Sequence, residues 1–146
     1  VNSLHGMRNI PLSCSAVHLI GCSCLFRHSY NSEKLQKLSQ IIRRWQRLEE
    51  YLSRLAEYNT QDFAIIYQPF TNNVVIPSLR NGDTDLRYFA SDCFHFSQLG
   101  HASMANSLWN NMLQPYWNKS SEFVKVFSSF ECPTERNPYI ATYLNS

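Results

Sequence analysis

From Asn31 to Tyr58, the apolar residues Leu35, Leu38, Ile41, Ile42, Trp45, Leu48, Leu52 and Leu55 recur at steps of three and four. That spacing lines one face of an α-helix and dictates where this stretch must put its apolar side chains. Asn31 or Ser32 suits the N-cap. Glu33 suits the first turn, where a negative charge meets the positive end of the helix dipole. Beyond the helix, Phe63-Ala64-Ile65-Ile66-Tyr67 is apolar without alternation. A short, continuous, β-branched run predicts a strand covered on both faces, as in a parallel sheet. Gln68-Pro69 ends it, because proline cannot donate to a central ladder. A helix followed by a buried strand predicts α/β layering.

The flanking segments are less regular. Ala16-Val17-His18-Leu19-Ile20 fits either a short strand or a buried turn, closed by Gly21. Cys22-Ser23-Cys24 reads as a loop. Residues 70–96 carry no strong periodicity, and so long an irregular stretch is usually functional or disordered. Asn81-Gly82-Asp83 marks a turn within it. A second helix is predicted from Gln98, with Ser97 as N-cap and Pro115 as stop. Its buried stripe would be Ala102, Ala105, Leu108, Trp109 and Met112. Phe123-Val124-Lys125-Val126-Phe127 alternates like an edge strand.

With 146 residues the chain suffices for one domain, 1–146, and not for two. Hydrophobic residues at 44% and charged residues at 16% describe a folded chain rather than a disordered one. Thirteen Lys+Arg against eleven Asp+Glu leave a formal charge of +2, which gives no reason to expect nucleic acid or an acidic membrane as partner. Arg43, Arg44 and Arg47 fall off the apolar helix face, with Glu49 and Glu50 following, and read as a solvated face. No apolar run approaches the ~20 residues of a membrane-spanning helix.

Val1 to Leu12 lacks the basic start, apolar centre and small-residue cleavage site of a signal peptide. The chain opens on Val1 and its first methionine is Met7, which predicts a processed start or a sequence from within a larger protein. Five cysteines (Cys14, Cys22, Cys24, Cys93 and Cys132) suggest an oxidising compartment, with one left over if two bridges form. Asn118-Lys119-Ser120 is the only glycosylation sequon, which makes Asn118 a candidate acceptor.

The chemistry concentrates in Ser91-Asp92-Cys93-Phe94-His95-Phe96-Ser97, just ahead of the second helix. Asp92 precedes His95 by three positions, so one turn can bring the carboxylate to Nδ1 of the imidazole. That hydrogen bond fixes the tautomer and leaves Nε2 free to take a proton. The helix start near Gln98 disfavours the imidazolium and Asp92 favours it. On spacing alone, a helix-capping histidine and a turn aspartate are the better reading. Cys22, Cys24 and His28, or His95 with His101, are the other chemical groupings. Neither set supplies the paired C-x₂₋₄-C and H-x₃₋₅-H elements of a structural zinc site, so no metal and no cofactor is expected.

The surroundings of Asp92 are more specific than the spacing. Asp92-Cys93-Phe94-His95-Phe96-Ser97, then Gly100-His101-Ala102, then Leu108-Trp109-Asn110-Asn111-Met112-Leu113-Gln114-Pro115 resemble the last block of animal phospholipase B enzymes, of the GDSL (SGNH) esterase family. The resemblance runs back through Gln68-Pro69-Phe70 and Asn31-Ser32-Glu33 to Cys22-Ser23-Cys24-Leu25. It runs forward to Cys132-Pro133 and Thr142-Tyr143.

This resemblance implies a three-layer α/β/α sandwich of flavodoxin-like SGNH type, present as its C-terminal portion. It implies a secreted or membrane-anchored esterase facing the outside, acting on phospholipids or lysophospholipids at a membrane surface. Asp92 would be the triad aspartate and His95 the general base. His101 would be structural, and Cys93 a structural neighbour rather than a nucleophile.

The family's remaining blocks are absent from these residues. The glycines stand at 6, 21, 82 and 100, and none sits in Gly-Asp-Ser or Gly-x-Ser-x-Gly; Gly82-Asp83-Thr84 reads as a turn. No nucleophile and no oxyanion hole is therefore assigned, and the partner implied is the N-terminal part of the same domain. Without an activated serine and oxyanion donors, Asp92 and His95 alone should give little rate enhancement. The alternative is an inactive homologue acting as a binding or complementing fragment. Either way, one strand cannot make a covered sheet, so the two helix faces should lack partners and the isolated chain should be marginal or aggregation-prone.

Overall fold

The computed structural model describes residues 7–27 and 32–146. The chain divides into two compact units: Val1–Arg43 with Val75–Ala102, and Arg44–Val74 with Ser103–Ser146.

The first unit opens with α1 (Leu12–Gly21) and the single turn α2 (Ser23–Phe26). The segment 16–20, expected as a strand or buried turn, is the second half of α1. Pro11 stands directly before the first turn, where its fixed φ suits helix entry and its missing N–H is not needed. Cys14 and His18, four residues apart, form the buried face. Cys22-Ser23-Cys24, expected as a loop, is the entry to α2.

Helix α3 (Glu33–Ser53) forms where the periodicity places it, and stops short of Tyr58. Ser32 is the N-cap: its Oγ accepts the Leu35 amide at 3.4 Å. The alternative cap, Asn31, and His28 lie outside the described residues. Asn59 closes the far end by donating Nδ2 to the carbonyls of Ser53 (2.9 Å) and Leu55 (3.0 Å). Only Leu35 of the apolar stripe is buried; Ile41, Leu48 and Leu52 are exposed, and Trp45 is 67% exposed.

Among the described residues, β pairing is limited to four isolated bridges: Asn59–Ala64, Asn73–Glu122, Ser78–Thr84 and Phe89–Phe96. Phe63–Tyr67 is therefore not a sheet strand here. The Ile65 amide donates to Tyr58 (3.0 Å) and the Thr60 amide to the Phe63 carbonyl (2.8 Å), which folds the segment into a local turn. A parallel strand takes its bonds from neighbours reached by long crossovers. With none alongside, local bonds prevail. The Asn81-Gly82-Asp83 turn forms as the sequence predicts, with Gly82 at φ +87° and its amide on the Leu79 carbonyl at 3.0 Å.

Helix α4 (Gln98–Leu113) also forms, but buries a different face from the expected one. Ala105, Leu108 and Trp109 are exposed, while Ser103 (0% exposed), Asn106, Ser107, Asn110 and Asn111 (1%) are buried. The reason lies in the extended tail beside it. Ser107 Oγ accepts the Val124 amide (3.0 Å), Ser103 Oγ that of Val126 (3.2 Å), and Asn106 Oδ1 that of Phe127 (3.0 Å). Asn110 takes the Glu131 amide at 2.8 Å and returns Nδ2 to the Ser129 carbonyl at 2.9 Å. Phe123–Phe127, expected as an edge strand, thus satisfies its backbone on a helix rather than on a ladder.

Candidate functional site

The acid–base loop is held between two short extended arms of the first unit. Ser97 N–H donates to the Tyr88 carbonyl (3.0 Å), Ala90 N–H to His95 (2.8 Å), and Phe89 bridges Phe96. The rings of Phe89 and Phe96 stack at 6.1 Å. Below this ladder, Ser97 caps α4: its Oγ accepts the Gly100 amide at 3.3 Å and donates to the Arg87 carbonyl. Gly100 is required here, because a Cβ would run into the Tyr88 carbonyl oxygen and lie 2.8 Å from the Phe96 ring.

At the tip, Asp92 forms an Asx-type turn. Its Oδ1 accepts the amides of Phe94 and His95, both at 3.0 Å, and its Oδ2 meets His95 Nδ1 at 2.6 Å. The His95 side chain and these two amides hold the Asp92 carboxyl down to about 2. Near neutral pH the carboxylate is therefore an acceptor only, and His95 Nδ1 must carry the proton between them. Nε2 of a neutral His95 then bears a lone pair. The His95 side chain is 76% exposed and that of Asp92 40%. The Phe94 ring meets the imidazole edge-on at 5.2 Å.

Between the two, Cys93 sits in the left-handed region at φ +57°. A non-glycine residue there costs about 1–2 kcal/mol and persists only where its surroundings impose it. Two residues of α1 do so. Cys14 forms a disulfide with Cys93, with Cα atoms 5.4 Å apart. His18 Nε2 lies 2.8 Å from the Cys93 carbonyl and donates to it, since a carbonyl only accepts. His18 is 2% exposed, and its ring stacks on Phe26 at 4.3 Å. One bridge forms where the cysteine count allowed two, and Cys22, Cys24 and Cys132 are free thiols.

The second unit holds a separate small pocket lined by residues that include Arg54, Tyr67, Trp117 and Lys119. Lys119 Nζ donates to the carbonyls of Asn111 and Gln114 at the end of α4, where a cation complements the helix dipole. Burial pushes the Lys119 ammonium down to about 8. Asn118 is exposed at the end of a 3₁₀ turn, Tyr116–Asn118. Among the described residues no three His, Cys, Asp or Glu side chains group into a metal site. None of the described helices is long and apolar enough to cross a membrane.

Mammalian phospholipases match most of this chain. It is 42% identical over 128 residues to membrane-associated phospholipase B1 of Homo sapiens, a match that covers 86% of this chain. The corresponding proteins of Rattus norvegicus and Mus musculus are 41% and 40% identical over the same share. The chain is a phospholipase B-like family member. It spans about 9% of the length of these relatives. No protein-family model matches it, and no solved structure does.

Within this phospholipase B-like chain, the two residues singled out from sequence, Asp92 and His95, do meet. His101 lies on the first turn of α4, its amide on the Ser97 carbonyl at 2.9 Å and its ring edge-on to Phe96 at 6.0 Å. The sequence reading missed His18 and Cys14 as supports of the loop. The one available signal was their i, i+4 spacing behind Pro11, which marks a helix face.

Proposed function

We propose that this phospholipase B-like chain carries the acid–base part of a carboxylic ester hydrolase site, with His95 as general base and Asp92 as its orienting carboxylate. The observation that carries this reading is the 2.6 Å hydrogen bond from His95 Nδ1 to Asp92, which engages Nδ1 and leaves proton transfer to Nε2. In a Ser-His-Asp mechanism, Nε2 takes the hydroxyl proton as serine attacks the ester carbonyl, then returns it to the leaving alcohol. Asp92 stabilises the imidazolium formed in between. The substrate class is the acyl ester of a phospholipid or lysophospholipid, as the relatives' names suggest. Nucleophile and oxyanion donors come from another segment of a GDSL-type three-layer α/β/α domain. A location outside the cell or on its outer surface agrees with the relatives' membrane association and with the Cys14–Cys93 disulfide.

The complementing role has its own support. Trp45, Leu48 and Leu52 on α3 are exposed, an apolar row of the kind that covers a sheet. A fluorophosphonate serine probe tests both points. Alone, the chain should take up no label. Mixed with the Gly-Asp-Ser-bearing part of a phospholipase B domain, it should restore labelling of that part, and His95→Ala should abolish it. Labelling of the mixture that survives His95→Ala would sink the assignment.

A further inference from the structure

Helix α1 touches the acid–base loop at its left-handed residue, Cys93. Cys93 lies between Asp92 and the two amides, Phe94 and His95, that the Asp92 carboxylate accepts. Its left-handed backbone is what turns those amides back onto Oδ1. In the β or right-handed region the chain would run on, and the amides would point away from the carboxylate.

Two restraints act on this one residue, and both come from the same helix face. The Cys14 sulfur holds the Cys93 side chain, and His18 Nε2 holds the Cys93 carbonyl. A side-chain tether alone leaves the peptide plane free to rotate. A carbonyl hydrogen bond fixes that plane, and with it the ψ of Cys93 and the direction of the Phe94 amide. His18 suits this task because it is buried, stacked on Phe26 and edge-on to Phe94 at 6.5 Å, so its ring has one orientation.

We propose that His18 is a positioning residue for the Asp92–His95 pair, acting through the carbonyl of Cys93. It touches neither substrate nor the reacting atoms. The inference rests on reading Asp92 and His95 as an acid–base pair. Its test reads geometry rather than turnover, so its failure is distinct from failure of the serine-probe experiment.

The experiment is NMR on the full 146-residue chain with the disulfide intact. It follows the Asp92 carboxyl carbon from pH 3 to 5 and the exchange of the Phe94 and His95 amides. In the native chain Asp92 stays ionised across that range, since its carboxyl is held at about 2. His18→Phe keeps a flat ring against Phe26 and removes the donor. Its Asp92 should titrate above the native value, moving toward the ordinary ~4, as the bonds from the two amides weaken. Protection of the two amides should fall roughly five- to tenfold, as expected for one lost hydrogen bond. His18→Gln, which still offers an N–H, should behave as native. If His18→Phe does not fold, His18→Met against His18→Gln makes the same comparison at similar length. A folded Phe or Met variant whose Asp92 titrates as in the native chain, with both amides equally protected, would overturn the proposal.

Discussion

Asp92 uses both of its oxygens within one turn of chain, one on two amides and one on an imidazole. Its carboxyl is thereby held at about 2, below the ordinary ~3.9. The folded state then binds fewer protons than the unfolded state between those values. The stabilisation is complete above about pH 4 and is lost as pH falls through about 2. Denaturant midpoints measured from pH 5 to pH 2 should fall more steeply for the native chain than for Asp92→Asn, which has no proton to bind there. Parallel curves would show that the carboxylate is not linked to folding.

The helices show how far local pattern reaches. Apolar spacing located α3 and α4, because a 3.6-residue period is written in the chain itself. It did not reveal which face of α4 is buried. Ser103, Asn106, Ser107 and Asn110 also recur at helical spacing, and their side-chain oxygens match the amides of the 124–131 tail. A reading that equates burial with hydrophobicity passes over such a stripe. Asn110→Ala would leave the Glu131 amide unpaired, while the Ser129 carbonyl keeps Asn106 Nδ2, and should destabilise by about 1–3 kcal/mol. Leu108→Ala, on the exposed face, should lose less. Equal losses in thermal or urea unfolding would refute this assignment of faces.

The same division explains the rest. Asp92 and His95 are three residues apart, so their meeting was legible in the sequence. Cys14 and Cys93 are 79 apart, and nothing local announces their bridge. Phe63–Tyr67 has the composition of a covered strand. A strand exists only with partners, and among the described residues this segment has a single isolated bridge, Asn59–Ala64.

On the scale of the whole molecule, little apolar surface is hidden among the described residues. Leu25, Leu35, Phe70, Tyr88, Phe89 and Tyr116 are the larger buried hydrophobic side chains, while Trp45, Trp117, Phe127 and Tyr139 are among many left exposed. So thin an interior leans on its covalent link. Closing a loop of this length removes on the order of 4–5 kcal/mol of unfolded-state chain entropy. Reduction should therefore lower the thermal midpoint well beyond the effect of a single core substitution. An unchanged midpoint would show that the bridge does not stabilise the fold.

The bridge also has a topological consequence. The stretch between Cys14 and Cys93 contains the whole of Arg44–Val74, an excursion into the second unit before the chain returns to the first. A protease that severs the backbone anywhere in that excursion cuts the polypeptide without parting its products. The segment bearing Asp92 and His95 stays fastened to α1 through sulfur. For the acid–base loop, continuity of the main chain and attachment to its support are two different things.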